Sequence, residues 1–424
     1  MNQEMLESKH LLKTLGPGIL IACAAIGGSH LVWATRAGAE YGWTLIGLVL
    51  LANFLKFPFF YFGQHYTATT GESLLSGYKG QGLFYLNTFI VINLLTGSIN
   101  IAAVGMLTAS LSMSFLGFLN LELTHLTILI FLILSGILYF GNYAVLDRLS
   151  KYIILILTAC TIVAVVLAFF NQSPNSVIDT QAEINPYTLA SLAFIISLLG
   201  WMPAPIDLST WSSLWMHSRE SQTQHKATPK EVAIDFSIGY GITTLLACLF
   251  LALGALTIFK TGAQIPQSGI QFSKQFIELY TNSIGVFAKP IIIIAAFFTM
   301  LSTTLTCLDG YPRSLATSFT LLKDSSNQSK CVDKKYYSLM LAIYALAASL
   351  ILLVFVKNLM SLLSFAATVA FLSSPVLAWI NLKVITGSNV PLKHQPALWI
   401  KITSYIGIAF FTTISFLFIY NKLF

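Results

Sequence analysis

Long apolar runs separated by short polar turns recur from one end of the chain to the other. A helix needs about 20 mainly apolar residues to cross the hydrocarbon of a bilayer. Eleven segments reach that length: 16–36, 43–63, 84–111, 123–140, 149–170, 187–215, 232–259, 286–315, 336–356, 359–382 and 398–421. The third, sixth, seventh and eighth exceed a straight crossing and are expected to tilt, break or continue outside the bilayer. Most connections are tight, as at Gly141-Asn142-Tyr143 and Lys357-Asn358. Two are longer. Residues 218–231 are charged and read as cytoplasmic, and residues 271–278 within the second form an amphipathic stretch that predicts a short surface helix.

Two of the predicted spans are interrupted. In the first, Gly27-Gly28-Ser29-His30 stands between apolar halves, and glycines and Ser propagate a helix poorly. In the sixth, Met202-Pro203-Ala204-Pro205 removes two backbone donors within four residues. Irregular backbone at membrane depth survives only where protein covers it or where it lines a cavity. The breaks open two five-span blocks, spans one to five and six to ten. Interruptions at matching positions of two halves point to the binding site of a secondary transporter.

Composition agrees and narrows the class. Hydrophobic residues make up 56% of 424 and charged residues only 9%, against about 25% charged in soluble domains; mean hydropathy is +0.77. The chain therefore reads as a single all-α integral membrane domain over 1–424, with the lipid bilayer as its surroundings. The net charge of +7 is no nucleic-acid signal, because the basic residues lie in the short loops. Counted with the N-terminus inside, those loops and span ends carry fifteen basic residues on the cytoplasmic side and six outside, Lys56 and Arg313 being left out as residues of the spans themselves. This places the N-terminus in the cytoplasm and, with eleven spans, Phe424 outside, in a multi-pass protein of the plasma (inner) membrane. The tail before residue 16 has no cleavage-type segment and reads as cytoplasmic. Five dispersed cysteines without metal-type spacing read as small buried residues. No nucleophile–base pair and no metal-protease motif occurs, so an enzyme is not expected and no cofactor is implied.

The stretches Gly16-Pro17-Gly18-Ile19-Leu20 and Arg36-Ala37-Gly38-Ala39-Glu40-Tyr41-Gly42 around the first break resemble the first helix of the NRAMP family of divalent metal transporters. Gly200-Trp201-Met202-Pro203 is similar to that family's sixth-helix break, and Gly141-Asn142-Tyr143 through Arg148 and Lys151 to its helix 4–5 turn. The resemblance implies the LeuT-type fold of the amino acid–polyamine–organocation superfamily. Residues 1–170 would be the first five-helix repeat, 187–382 the second, inverted one, and 398–421 an extra helix, with helices 1 and 6 broken.

The chemistry departs from the family pattern. Where the family carries Asp-Pro-Gly-Asn, Gly27 and His30 stand for the acid and the amide; Ala204 and Pro205 replace the His-Asn that follows Met-Pro in the sixth helix; and 84–111 holds no acid. Manganese and iron(II) prefer carboxylate, carbonyl and imidazole ligands, and a divalent ion without a carboxylate is poorly compensated in low dielectric. The candidate substrate-binding residues are accordingly Gly27, Gly28, Ser29, His30, Trp201, Met202, Ala204 and Asp207. Of these, His30 and Met202 are the candidate metal ligands, and Asp207 is an intramembrane carboxylate one turn past Pro203, a functional position by default. Trp33, Trp201, Trp211 and Trp215 cluster near the breaks as candidate cavity walls. Ser302, Thr303 and Thr304 correspond to hydroxyls that hold sodium with first-helix carbonyls in LeuT-type transporters, and oxygen donors suit a hard cation. Asp309 and Arg313 are one turn apart and predict an ion pair, while Asn53, Asn93 and Asn100 predict interhelical hydrogen bonds. Two functions follow: a secondary transporter working by alternating access on a cation, divalent metal or sodium, through a reorganised site; or a sodium- or proton-coupled transporter of a small organic solute on the same fold.

Overall fold

The computed structural model describes residues 16–141, 143–170, 185–259, 265–266, 268–323, 333–354 and 358–424. The N-terminal tail, Asn142, Lys260, Lys330, Cys331, Lys357 and the side chains of Arg148 and Lys151 lie outside that description. The first span is α1 (Pro17–Ala25), a π-helical turn Ser29–Ala34 and α2 (Thr35–Tyr41). The second is α3 (Ile46–Thr70), followed by a short α4 (Leu74–Gln81). The third to fifth are α5 (Leu83–Leu116), α6 (Leu123–Phe140) and α7 (Tyr143–Phe170). The sixth is α8 (Leu192–Trp201) and α9 (Leu208–Thr223), and the seventh is α10 (Pro229–Thr257). After α11 (Gly269–Ile284) come α12 (Lys289–Lys323), α13 (Lys334–Val354), α14 (Leu359–Ile385) and α15 (Leu398–Leu423).

Among the described residues, eight helices are long and apolar enough to cross a membrane, and the first span makes a ninth although its halves meet at 49°. The shorter apolar stretches Ile154–Phe170 and Leu192–Trp201 belong to the fifth and sixth spans. This gives the eleven spans expected, with breaks where Gly-Gly and Pro-Ala-Pro interrupt them. The third and eighth spans pack along each other as the most buried pair, whereas Leu346, Leu350, Phe416 and Tyr420 on the ninth and eleventh remain exposed, as lipid-facing residues should.

The first and seventh spans meet backbone to backbone. A Cβ on Gly38 would stand 1.9 Å from the Leu251 carbonyl oxygen, and one on Gly254 would stand 2.1 Å from that of Thr35. Small residues at such a crossing replace the hydrophobic drive that lipid removes. The same pair is fastened at the membrane edge, where the buried Asp235 carboxylate accepts from the N–H groups of Gly16 (3.1 Å) and Gly18 (2.6 Å). A carboxylate there meets both the unpaired donors and the positive end of α1.

Three expectations need correction. The second span runs past residue 63 to Thr70, so His65 belongs to the helix, buried, with its Nε2–H donating to the His394 carbonyl at 2.7 Å. The short α4 was not anticipated; Ser73 caps it and Leu74, Leu75 and Tyr78 bury its inner face. The amphipathic stretch is helical, as α11, but it does not lie free on the surface. Phe272, Phe276, Leu279 and Tyr280 bury one face, and Ser273 and Tyr280 hydrogen-bond Ser110 and Thr161 of the third and fifth spans.

Candidate functional site

The two breaks meet around one cavity of about 40 Å³, room for roughly three water molecules. The first break contributes Ala24, Ala25, Gly28 and Ser29; the sixth contributes Trp201, Pro203, Ala204 and Pro205. Asn100 from the third span and Thr303, Cys307 and Tyr311 from the eighth close the sides.

The chain can unwind at the first break because neighbours fill the space that side chains would take. A Cβ on Gly27 would lie 2.8 Å from Thr303 Oγ1, and one on Gly28 would lie 2.6 Å from Trp201 Cζ3. The carbonyls freed by the unwinding are partly met by Thr303, whose hydroxyl lies 3.2 Å from the Cys23 oxygen, 3.1 Å from that of Ile26 and 3.2 Å from that of Thr299 in its own helix. One hydroxyl thus faces three backbone carbonyls, two of the first span and one of its own helix. Thr303 thus takes the position expected of a hydroxyl facing first-helix carbonyls. Thr304 turns the other way, to Thr108 at 2.7 Å, and Ser302 is not among the cavity residues.

A polar chain lines the opposite wall. Trp201 Nε1 donates to Asn100 Oδ1 at 3.0 Å, and Asn100 Nδ2 donates to the Tyr311 hydroxyl at 2.8 Å. Asn100, expected only as interhelical glue, is therefore a cavity residue. Tyr311 and Cys307 carried no sequence signal beyond their place near the hydroxyl cluster of the eighth span. Trp211 stacks edge-on against Tyr311, with ring centroids 4.6 Å apart, and its buried indole N–H has no partner. Trp201 and Trp211 wall the cavity as expected; Trp33 packs on Phe194 and Arg36 instead, and Trp215 donates to Asp309.

Asp207 is buried at the start of α9. Its Oδ2 accepts from Thr96 at 3.4 Å, and the Tyr311 hydroxyl of the cavity wall also interacts with the carboxylate. It stands behind the lining, with its neighbour Leu208 on the wall. His30 corrects the expectation more strongly. The π-helical turn swings it toward the seventh span, where its ring contacts Ser29 Oγ at 2.6 Å and the Thr243 carbonyl at 2.9 Å. Both ring nitrogens are thereby engaged, away from the cavity and from Asp207. Met202 is fully buried at the break but is not among the lining residues. The candidate metal pair His30 and Met202 is thus not gathered on the cavity, and among the described residues no cluster of three or more His, Cys, Asp or Glu side chains could hold a metal ion.

Two further features were beyond sequence reasoning. The Lys56 ammonium reaches the end of α8 and donates to the carbonyls of Leu199, Gly200 and Ala204. Asp309 pairs with Arg313 at 2.6 Å as expected, but it also accepts from Trp215 and Tyr337, which tie the eighth span to α9 and the ninth span.

A family profile described as natural resistance-associated macrophage protein-like matches residues 18–421. An uncharacterized protein of Pasteurella multocida is 36% identical over 408 residues, covering 96% of this chain and 91% of that one. Among solved structures, the Eremococcus coleocola manganese transporter in complex with an aromatic bis-isothiourea compound superimposes with a TM-score of 0.69 at 12% identity, over 98% of this chain and 87% of that one. MhsT in complex with L-phenylalanine superimposes with a TM-score of 0.60 at 13% identity, over 94% and 98% of the two chains. A sodium-coupled sialic acid symporter gives 0.60 at 15% identity, over 96% and 89%.

Proposed function

The chain belongs to the natural resistance-associated macrophage protein-like (Nramp) family and is an Nramp-related multi-pass membrane transporter of LeuT-type fold; from that premise we propose that it carries a small cation by alternating access through a site with no acid in the first break. The observation that carries this reading is the meeting of two interrupted helices around one small cavity, with the Thr303 hydroxyl on its wall facing first-helix carbonyls. Thr303 lines the cavity with its hydroxyl 3.2 Å from the Cys23 oxygen and 3.1 Å from that of Ile26, and the buried Asp207 carboxylate lies behind the lining. Oxygen-only donors of low charge suit sodium or another weakly charged cation better than manganese, which needs more anionic compensation than this site holds. Gly28, Ser29, Trp201, Ala204 and Thr303 are the predicted site residues that line the cavity, and Asn100 and Tyr311 join them.

An organic solute is less well supported. A cavity of about 40 Å³ is an order of magnitude below the ~300–1,000 Å³ of pockets that enclose such ligands. The bias of basic residues supports an inner-membrane protein with its N-terminus in the cytoplasm and its C-terminus outside. The test is uptake into proteoliposomes of sodium, potassium, manganese and an amino-acid mixture. Saturable uptake of a monovalent cation, lowered by Thr303→Ala, is the expected result; uptake of amino acids alone would replace the cation reading with the organic one.

A further inference from the structure

We infer that the end of α8 is built as an ammonium site, and that Lys56 fills it from within as a tethered cation holding the sixth-helix break in shape. Lys56 is wholly inaccessible, in the second span. Its Nζ lies 2.7 Å from the Leu199 oxygen, 3.0 Å from that of Gly200 and 3.0 Å from that of Ala204. Three acceptors match the three N–H bonds of an ammonium, whereas a neutral amine offers two.

The acceptors are of the right kind. Leu199 and Gly200 belong to the last turn of α8, whose carbonyls have no partner within the helix and carry the negative end of its dipole. Ala204 lies in the unwound segment itself. The cradle is rigid, because Gly200 packs so tightly on the tenth span that a Cβ there would stand 2.0 Å from the Ala367 oxygen. The Phe411 ring of the eleventh span, 6.0 Å from Nζ, adds an aromatic face, which is how proteins complete a site for an alkylammonium ion. The atoms that touch Nζ are thus neutral carbonyls, a recognition site for a primary ammonium, with the negative charge of Asp207 acting on it from beyond hydrogen-bond range.

Two consequences follow. The break does not depend on a bound ion to satisfy the carbonyls of Leu199, Gly200 and Ala204, since Lys56 donates to all three. A transported cation is excluded from this side of the break and is left the Thr303 side. This inference does not rest on the cation reading, because the cradle exists whatever the cargo is.

The test uses the purified full chain in detergent and its thermal melting in methylammonium chloride against sodium chloride at equal ionic strength. Lys56→Ala empties the cradle and leaves room. Its melting temperature is expected to fall by roughly 5 °C or more, and methylammonium is expected to restore at least half of the loss in a saturable manner while leaving the wild type unmoved. Lys56→Met fills the space without the charge; it is expected to melt low and to ignore methylammonium. If Lys56→Ala does not fold alone, expression with methylammonium in the medium is expected to recover it. A Lys56→Met protein as stable as the wild type, or methylammonium responses equal in wild type and Lys56→Ala, would overturn the inference.

Discussion

Replacing Gly28 with alanine isolates the packing that holds the two breaks together. Gly28 has right-handed helical dihedrals, φ −56° and ψ −31°, so alanine costs nothing in the backbone. The cost is steric. The new Cβ would stand 2.6 Å from Trp201 Cζ3 and 3.1 Å from Cε3, and the ring must retreat by about 0.8 Å to reach ordinary contact at 3.4 Å. Overpacking of this size costs about 1–3 kcal/mol. The retreat also pulls Trp201 Nε1 from Asn100 Oδ1, now at 3.0 Å, which adds about 1 kcal/mol for a buried hydrogen bond. The expected loss is therefore about 2–4 kcal/mol, together with a narrowed cavity and lowered transport. The control is Gly241→Ala in the seventh span, where a Cβ meets nothing within 4 Å and helix propensity favours alanine by about 0.5–1 kcal/mol. Both variants are melted in the same detergent, and both are assayed for uptake. Equal melting temperatures for the two would refute the view that Trp201 packs directly on the first break.

Three other outcomes are expected. Asp207→Asn keeps the shape and the Thr96 contact while removing a buried charge, so folding should hold while transport falls at least tenfold, about 1.4 kcal/mol; a less stable protein with normal transport per folded molecule would mean a structural role. Manganese uptake into proteoliposomes should be weak or absent, and robust saturable uptake abolished by Met202→Ala would show that the lost first-break acid matters less than argued. Asp235→Ala should destabilise the protein by about 3–5 kcal/mol, because two charge-assisted bonds to the start of α1 disappear; thermal melting checks it, and Asp235→Asn, which keeps one acceptor oxygen, should fall between.

The breaks and the eleven spans were legible because their causes are local. Two glycines with Ser and His, or two prolines one residue apart, interrupt a helix in any surroundings, and apolar length depends on no distant contact. What escaped the sequence was everything decided by helix phase or by distant partners. His30 was expected in the cavity because it sits in the break, yet the π-helical turn Ser29–Ala34 changes the rotation per residue and carries the ring to Thr243. Lys56 had no assignable partner because its acceptors are backbone carbonyls 143 to 148 residues away, exposed only by the break itself. Asn100 looked like ordinary interhelical glue because nothing in its neighbourhood marks which face of α5 meets Trp201. The short α4 was missed because eight residues cannot show the periodicity that identifies a helix.

Access to Cys307 from the two sides of the membrane bears most directly on transport through this cavity, because its thiol lines the cavity and is nearly buried. A protein with Cys23, Cys160, Cys248 and Cys331 replaced by serine is reconstituted, and a membrane-impermeant thiol reagent is applied from inside or outside under opposite ion gradients. Alternating access predicts reaction from either side, with the favoured side set by the gradient, slower reaction in the presence of the transported cation, and loss of transport once the thiol is modified. Reaction from one side only under every gradient, with transport unchanged by a bulky adduct, would contradict it.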